Sequence, residues 1–455
     1  MRKRTKLWIE TVVLLTAAAV LGGRAQAREL QEILKDKGIL TYDEMKESTK
    51  SAGGLISYKE GKGFVFQTGD GRFETDIGGR IQVRYTLLDV DDKFQNPPKG
   101  SEDSQSIDVT RARLWAQGRM WYPGLTYMVQ IDVAGGGGDI IRDVFLDYLP
   151  IPDVGIRAGQ FKTMYARQEM TSSGKQQFVD RSLATNAMRL ERQPGVILYG
   201  TQLEQKLEYY TGIFNGSGRN KTNTDTNFAY VSRVAVNPLG PMPYEESDVT
   251  YSDSPLMAIG GSYVYNRVRG DEITTAAALD AKDPTKIVPG GAVSQQAPIL
   301  RTVQPSFSTL QNVGRVGVDF NQFGVDWAAR WRGFSAAAEY YFAAVDATRV
   351  QSAPPFGASP GSFRAKGWYA QTGYFLIPKK LEAAFRWSEL DPNDDVAHND
   401  QREIRGALSY YFSGHNLKLQ GDVGSLRTEG QKEPKTGAIS PRENMEYRLQ
   451  AQFIF

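Results

Sequence analysis

The chain has 455 residues, 40% of them hydrophobic, with 46 glycines, 22 tyrosines, 21 phenylalanines and a formal net charge of +2. A mean hydropathy of −0.43 excludes a bundle of apolar membrane helices, each of which needs roughly 20 consecutive apolar residues, and near-neutrality gives no electrostatic case for a nucleic-acid partner. The absence of cysteine excludes disulfides, thiolate metal sites and thiol catalysis.

In chain order, the first feature is an export signal. Arg2, Lys3, Arg4 and Lys6 precede an apolar run from Leu7 to Leu21, and Ala25-Gln26-Ala27 places small residues at a cleavage site. Residues 1–27 are therefore expected to be a signal peptide. From Glu29 the spacing of Leu30, Ile33, Leu34, Leu40 and Met45 suits short amphipathic helices, broken at Gly38 and restarted by the capping box of Thr41 and Glu44. This predicts a periplasmic helical segment over 28–60.

From Phe73 onward the period changes to two. Ile77, Ile81, Val83, Tyr85 and Leu87 fall on one face, and Glu74, Asp76, Arg80, Gln82 and Arg84 on the other. The next runs alternate Arg111, Arg113, Gln117 and Arg119 against Ala112, Leu114, Ala116 and Met120, then Tyr127, Val129 and Ile131 against Gln130 and Asp132. Low hydropathy is compatible with spanning a membrane in this way, because only every second residue of a barrel strand meets lipid. About 16 such strands are expected over 73–455, from 73–89, 107–121 and 124–134 through 401–412, 416–428 and 444–455. The fold class is accordingly all-β: a transmembrane antiparallel β-barrel of about 16 strands, with a short N-terminal helical segment.

Loop lengths support a barrel over a soluble sandwich. Turns at Tyr122-Pro123-Gly124, Pro150-Ile151-Pro152, Arg332-Gly333 and Ser413-Gly414-His415 follow even strands, while long polar stretches at 90–106, 162–193, 268–315, 348–362 and 429–443 follow odd ones. That segregation is the mark of short periplasmic turns and longer external loops. Two connections depart from it: 237–255 is long where a turn is expected, and Gly135 to Gly138 is a short external loop. The chain ends on an alternating strand whose outward face carries Tyr447, Leu449, Ala451, Phe453 and terminal Phe455. Tyr447, Phe453 and Phe455 resemble the C-terminal signal read by the outer-membrane assembly machinery. These features predict the outer membrane of a Gram-negative bacterium, with lipid and lipopolysaccharide around the wall.

The run Arg111-Ala-Arg-Leu114, the strand Tyr127 to Asp132, then Arg157-Ala-Gly-Gln-Phe-Lys162, Glu169-Met-Thr-Ser-Ser173 and Asp180-Arg-Ser-Leu-Ala184 resembles the phosphate-selective porin O/P family. The resemblance implies a 16-stranded barrel, usually a homotrimer, with the loop after the fifth strand folded into the lumen. Independently of it, that loop carries Lys162, Arg167, Lys175, Arg181, Arg189 and Arg192 against Glu169, Asp180 and Glu191. A basic constriction between low-dielectric walls focuses field and draws in anions, so small anionic solutes, phosphate or other oxyanions among them, are the expected cargo. Lumen-facing Arg80, Arg84, Arg111, Arg113, Arg119 and Arg157 extend the basic surface, or else pair with Glu74, Asp76, Asp132, Asp143 and Asp147 to hold wall and loop in place.

Two other readings fit the same pattern: a general or sugar-permeable porin, and a non-conducting adhesin or structural barrel that binds through the 268–315 loop. No catalytic, metal or cofactor site is expected. His398 and His415 fall on opposite sides of the membrane, and the Gly135 to Gly138 run lacks the Lys-Ser/Thr of a phosphate loop. Asp89 to Asp92 and Asp391 to Asp395 lack the spacing of a calcium loop.

Overall fold

The computed structural model describes residues 56–96, 102–122, 124–134, 140–223, 226–269, 277–280, 283–289, 317–347 and 362–455. The signal peptide at 1–27, the helical reading up to residue 55, Gly135 to Gly138 and most of the 268–315 loop lie outside these residues. At the far end of the predicted helical segment, Ile56–Lys59 is a strand (β1), not a helix. It pairs in a hairpin with β2, Gly63–Gln67, which in turn lies along the start of β3, with Phe64 opposite Ile77.

Sixteen antiparallel strands then close a barrel. They are β3 (Phe73–Asp89), β4 (Ser104–Met120), β5 (Leu125–Asp132), β6 (Ile141–Ile151), β7 (Val154–Lys162), β8 (Arg192–Gln202), β9 (Leu207–Phe214), β10 (Ala229–Val236) and β11 (Leu256–Arg269). After a separate two-stranded hairpin of β12 (Ala277–Asp280) and β13 (Asp283–Pro289), the wall resumes with β14 (Gly317–Trp331), β15 (Phe334–Ala347), β16 (Phe363–Ile377) and β17 (Leu381–Asp391). It ends with β18 (Gln401–Ser413), β19 (Leu417–Lys432) and β20 (Ile439–Ile454). Closure is made by β20 on β3, from Met445 opposite Asp89 to Ile454 opposite Arg80. The sheet therefore has no open edge along the wall, the condition for strands to survive in lipid.

Alternation turns the usual protein inside out. Ile81, Val83 and Tyr85 are exposed on the outer face of β3, while Arg80 and Gln82, on the alternate positions, are buried. The same holds on β17, where Phe385 is exposed and Glu382, Arg386 and Ser388 are buried. An apolar exterior and a polar interior fit hydrocarbon outside and water within.

Two connections fold inward and fill much of the bore. Between β7 and β8, residues 163–191 carry the short helices α1 (Arg167–Met170) and α2 (Leu183–Met188). Ser182 caps α2 by accepting from the Thr185 backbone N–H at 3.1 Å. Ala184, Ala187 and Met188 of α2 join Tyr341, Ala343, Val345, Tyr369 and Leu390 of β15–β17 in an apolar cluster inside the barrel. The second inward segment is 237–255, the connection whose length was anomalous. Met242 packs against Ala258 and Ala328, and Glu246, Ser247 and Asp248 are buried.

Candidate functional site at the lumenal constriction

The inward loop is fastened to the wall chiefly by carboxylates and amides. Glu339 on β15 accepts the backbone N–H groups of Arg167 and Gln168 at 2.9 and 2.6 Å, and the Tyr369 hydroxyl at 2.8 Å. Glu382 on β17 accepts from Gln177 Nε2 (2.6 Å), Ser247 Oγ (2.8 Å) and Tyr411 Oη (2.6 Å), so one carboxylate ties both inward segments to the barrel. Glu246 of the 237–255 segment accepts from Gln168 Nε2 at 2.9 Å and the Gln177 backbone N–H at 2.8 Å. The space these groups leave open lies toward β3–β9, as a cavity of about 540 Å³.

Nine cations reach that cavity: Arg80, Arg111, Arg113, Arg142, Arg157, Lys162, Arg181, Arg189 and Arg192. Four carboxylates face them, Asp132, Asp143, Glu169 and Glu191. Of the residues predicted for the constriction, the structure gathers Lys162, Arg181, Arg189 and Arg192 there. Arg167 and Lys175 instead turn toward the 237–255 segment. Arg167 donates to the Pro243 carbonyl at 3.1 Å and stacks 4.6 Å from the Tyr244 ring centroid, and Lys175 pairs with Glu245. Among the lumenal set, Arg80, Arg111, Arg113 and Arg157 line the cavity. Arg84 binds Gln450 and Asp180 outside the lining, and Arg119 sits half exposed beside Glu74 at 3.1 Å.

Most of these cations are paired. Arg113 meets Asp132 at 2.8 Å, Arg192 meets Asp143 at 2.8 Å, and Arg157 meets Asp147 at 2.6 Å. Within the loop, Arg181 and Arg189 converge on Glu169 at 2.9 and 3.3 Å. Burial alone would raise the Glu169 carboxyl, but the two guanidiniums outweigh it and hold it at about 2. Asp180 is likewise held far below the usual carboxylate range, Arg111 and Arg84 outweighing its burial.

Arg80 and Lys162 differ. Among the described residues neither has a carboxylate within salt-bridge distance. Arg80 donates to Ser172 Oγ (3.1 Å) and Ser173 Oγ (2.9 Å) at the loop tip, and its Nε has no partner. Lys162 donates to the carbonyls of Glu169, Met170 and Thr171, at 2.5, 3.2 and 3.0 Å.

Arg142 escaped the sequence pattern for a definite reason. Alternation places it on the outer face with Val144 and Leu146, but the register shifts at this point: Gln130 pairs with Asp143 and Ile131 with Ile141. Arg142 is the extra residue of a β-bulge, and a bulge re-aims side chains. A second bulge at Thr110, where Gln82 pairs with Arg111 and Val83 with Val109, brings Thr110 and Arg111 together into the same cavity. That one was visible in the sequence: Ile107 and Val109 share the parity of Arg111 and Arg113 although one pair is apolar and the other charged.

A charged, partly plugged aqueous bore through a lipid-facing barrel is a channel architecture, and the comparisons with known proteins agree. The fold resembles the anion-selective porin from Comamonas acidovorans (TM-score 0.53, 9% identity, covering 84% of this chain and 99% of that one). It also resembles outer-membrane expressed OmpT of Vibrio cholerae (TM-score 0.51, 10% identity, covering 86% and 100%) and the outer membrane channel DcaP of Acinetobacter baumannii (TM-score 0.50, 12% identity, covering 86% and 99%). No curated protein matches the sequence. The profile of phosphate-selective porin O and P matches residues 77–253 and 308–455. With most of the barrel under that match, the chain belongs to the phosphate-selective porin O and P family, and it is a porin of the Gram-negative outer membrane.

Proposed function

We propose that this porin passes small anions by diffusion, phosphate and other oxyanions among them. The observation that carries the reading is the imbalance at the constriction: nine cationic side chains and four carboxylates line one cavity, and with Asp147 and Asp180 paired to Arg157 and Arg111 the excess is three positive charges. In a passage bounded by hydrocarbon and packed protein, that excess is screened weakly and attracts anions. Arginine forks suit oxyanions in particular, since their planar donors match two oxygens at once. Lys162, Arg181, Arg189 and Arg192 from the loop and Arg80, Arg111 and Arg113 from the wall are the residues proposed to set selectivity. A homotrimer is the assembly the family resemblance suggests, with lipopolysaccharide against the outer wall and the assembly machinery engaging the C-terminal strand.

Reversal potentials across planar bilayers in a KCl gradient test the reading. Chloride should dominate, and added phosphate should depress the chloride current. A potassium-preferring pore refutes it. Rapid liposome swelling with neutral sugars, without ion preference, would favour a general porin instead, and a barrel without current would favour an adhesin.

A further inference from the structure

The walls of the constriction cavity are not alike. Toward β3–β5 it presents guanidiniums, Arg80, Arg111 and Arg113, with the hydroxyls of Ser172 and Ser173 beside them. Toward β6–β9 the cations Arg142, Arg157, Lys162 and Arg192 are joined by rings. Phe145 of β6 and Tyr199 and Tyr210 of β8 and β9 flank Arg157 of β7, and Tyr244 of the 237–255 segment adds a fourth ring. Tyr199 and Tyr210 are direct cross-strand partners, stacked at 6.3 Å with 12° between their planes. Arg157 lies 4.1 Å from the Phe145 centroid and 5.3 Å from that of Tyr199, so one cation is embedded in the aromatic wall.

These rings are only half buried, unlike Phe214 in the apolar cluster beside them, which is 1% exposed. They line the open space of the cavity. An inorganic oxyanion draws nothing from such faces, because its hydration shell is stripped by cations and hydroxyls only. Volume points the same way. About 540 Å³ falls within the roughly 300–1,000 Å³ of pockets that hold drug-sized ligands, whereas one water occupies about 30 Å³.

We infer that the passage favours organic anions bearing a flat ring, the anionic group on the guanidinium wall and the ring against Tyr199, Tyr210 and Phe145. The inference rests on the anion-channel reading and narrows it to a solute class: aryl phosphates and aromatic carboxylates, whose two ends match the two walls. Ring stacking and cation–π contact would both strengthen as the passage excludes water.

The test is current block of the intact porin in planar bilayers by phenyl phosphate against inorganic phosphate at pH 8, where both are mainly dianions. Phenyl phosphate should reach half-block at a concentration about tenfold lower, the scale of one or two ring contacts. In the Tyr199→Ala/Tyr210→Ala double variant the ratio of the two half-block concentrations should fall toward one, while Tyr199→Phe/Tyr210→Phe should keep it. Equal half-block in the unaltered porin overturns the ring preference and leaves the anion reading standing. A potassium preference in the KCl gradient would overturn the anion reading itself. If the alanine variant does not assemble, the comparison in the unaltered porin still decides.

Discussion

Arg80 is the cation of the constriction with the most to give a passing anion. Arg113, Arg157 and Arg192 each spend charge on an aspartate within 3 Å, whereas Arg80 holds only two serine hydroxyls. Arg80→Gln should therefore lower the chloride-to-potassium permeability ratio several-fold, while Arg119→Gln at the exposed rim should change it little. Reversal potentials of both variants decide, and equal effects would move the selectivity step away from Arg80. Glu169 sets a different limit. Its carboxyl is held at about 2 by Arg181 and Arg189, so its contribution to holding the loop is complete above the ordinary value of 4.5 and is lost as pH falls through about 2. Single-channel current should stay quiet from neutral pH to about 4.5 and grow noisy in stronger acid, and Glu169→Gln should be noisy already at neutral pH. At this scale alternation groups charges on one strand face, misses Arg142, and does not say which charges are spent. Partner choice depends on strands far apart in the chain, as when Asp180 meets both Arg84 and Arg111.

The loop at 163–191 and the segment at 237–255 are one interlocked unit, built from opposite ends of the barrel. Glu339 alone accepts two backbone N–H groups of the loop. Glu339→Ala leaves both buried donors without an acceptor, at about 1–3 kcal/mol each. The expected result is flicker between conductance levels in single-channel records while heat-modifiable mobility of the barrel is retained; a steady current would show that Glu246 and Glu382 suffice. The inward course of the 163–191 loop came only from the family resemblance, and that of 237–255 showed only as a length out of place. Alternation specifies a wall and is silent on where a connection goes, because the burial of Gln168, Gln177 and Ser247 is set by acceptors that the sequence does not mark. Bulges are the other blind spot, since a single extra residue such as Arg142 reverses parity without changing composition.

Across the whole molecule the pattern was far more legible. The strand expected over 73–89 is β3 itself, and every one of the 16 expected strands has its counterpart in the wall. Lipid and water impose opposite preferences on alternate residues, and no other force in the chain is as consistent. Closure depends on a tight fit at the seam. Gly79 and Phe455 exchange backbone hydrogen bonds at 2.9 and 3.0 Å, and a Cβ on Gly79 would lie 2.4 Å from the Phe455 ring. Gly79→Val and Phe455→Ala should each reduce the heat-modifiable, membrane-inserted fraction on gels, Gly79→Val the more strongly; normal yields of both would remove the seam from the assembly step. The apolar cluster under β9–β11 and β14–β17 has a last consequence. It fills one side of the cylinder and leaves the open cavity off-centre, against β3–β9. Two buried arginines then lead different lives: Arg80 lines the cavity with only serine hydroxyls beside it, while Arg233, clasped to Asp326, is masonry.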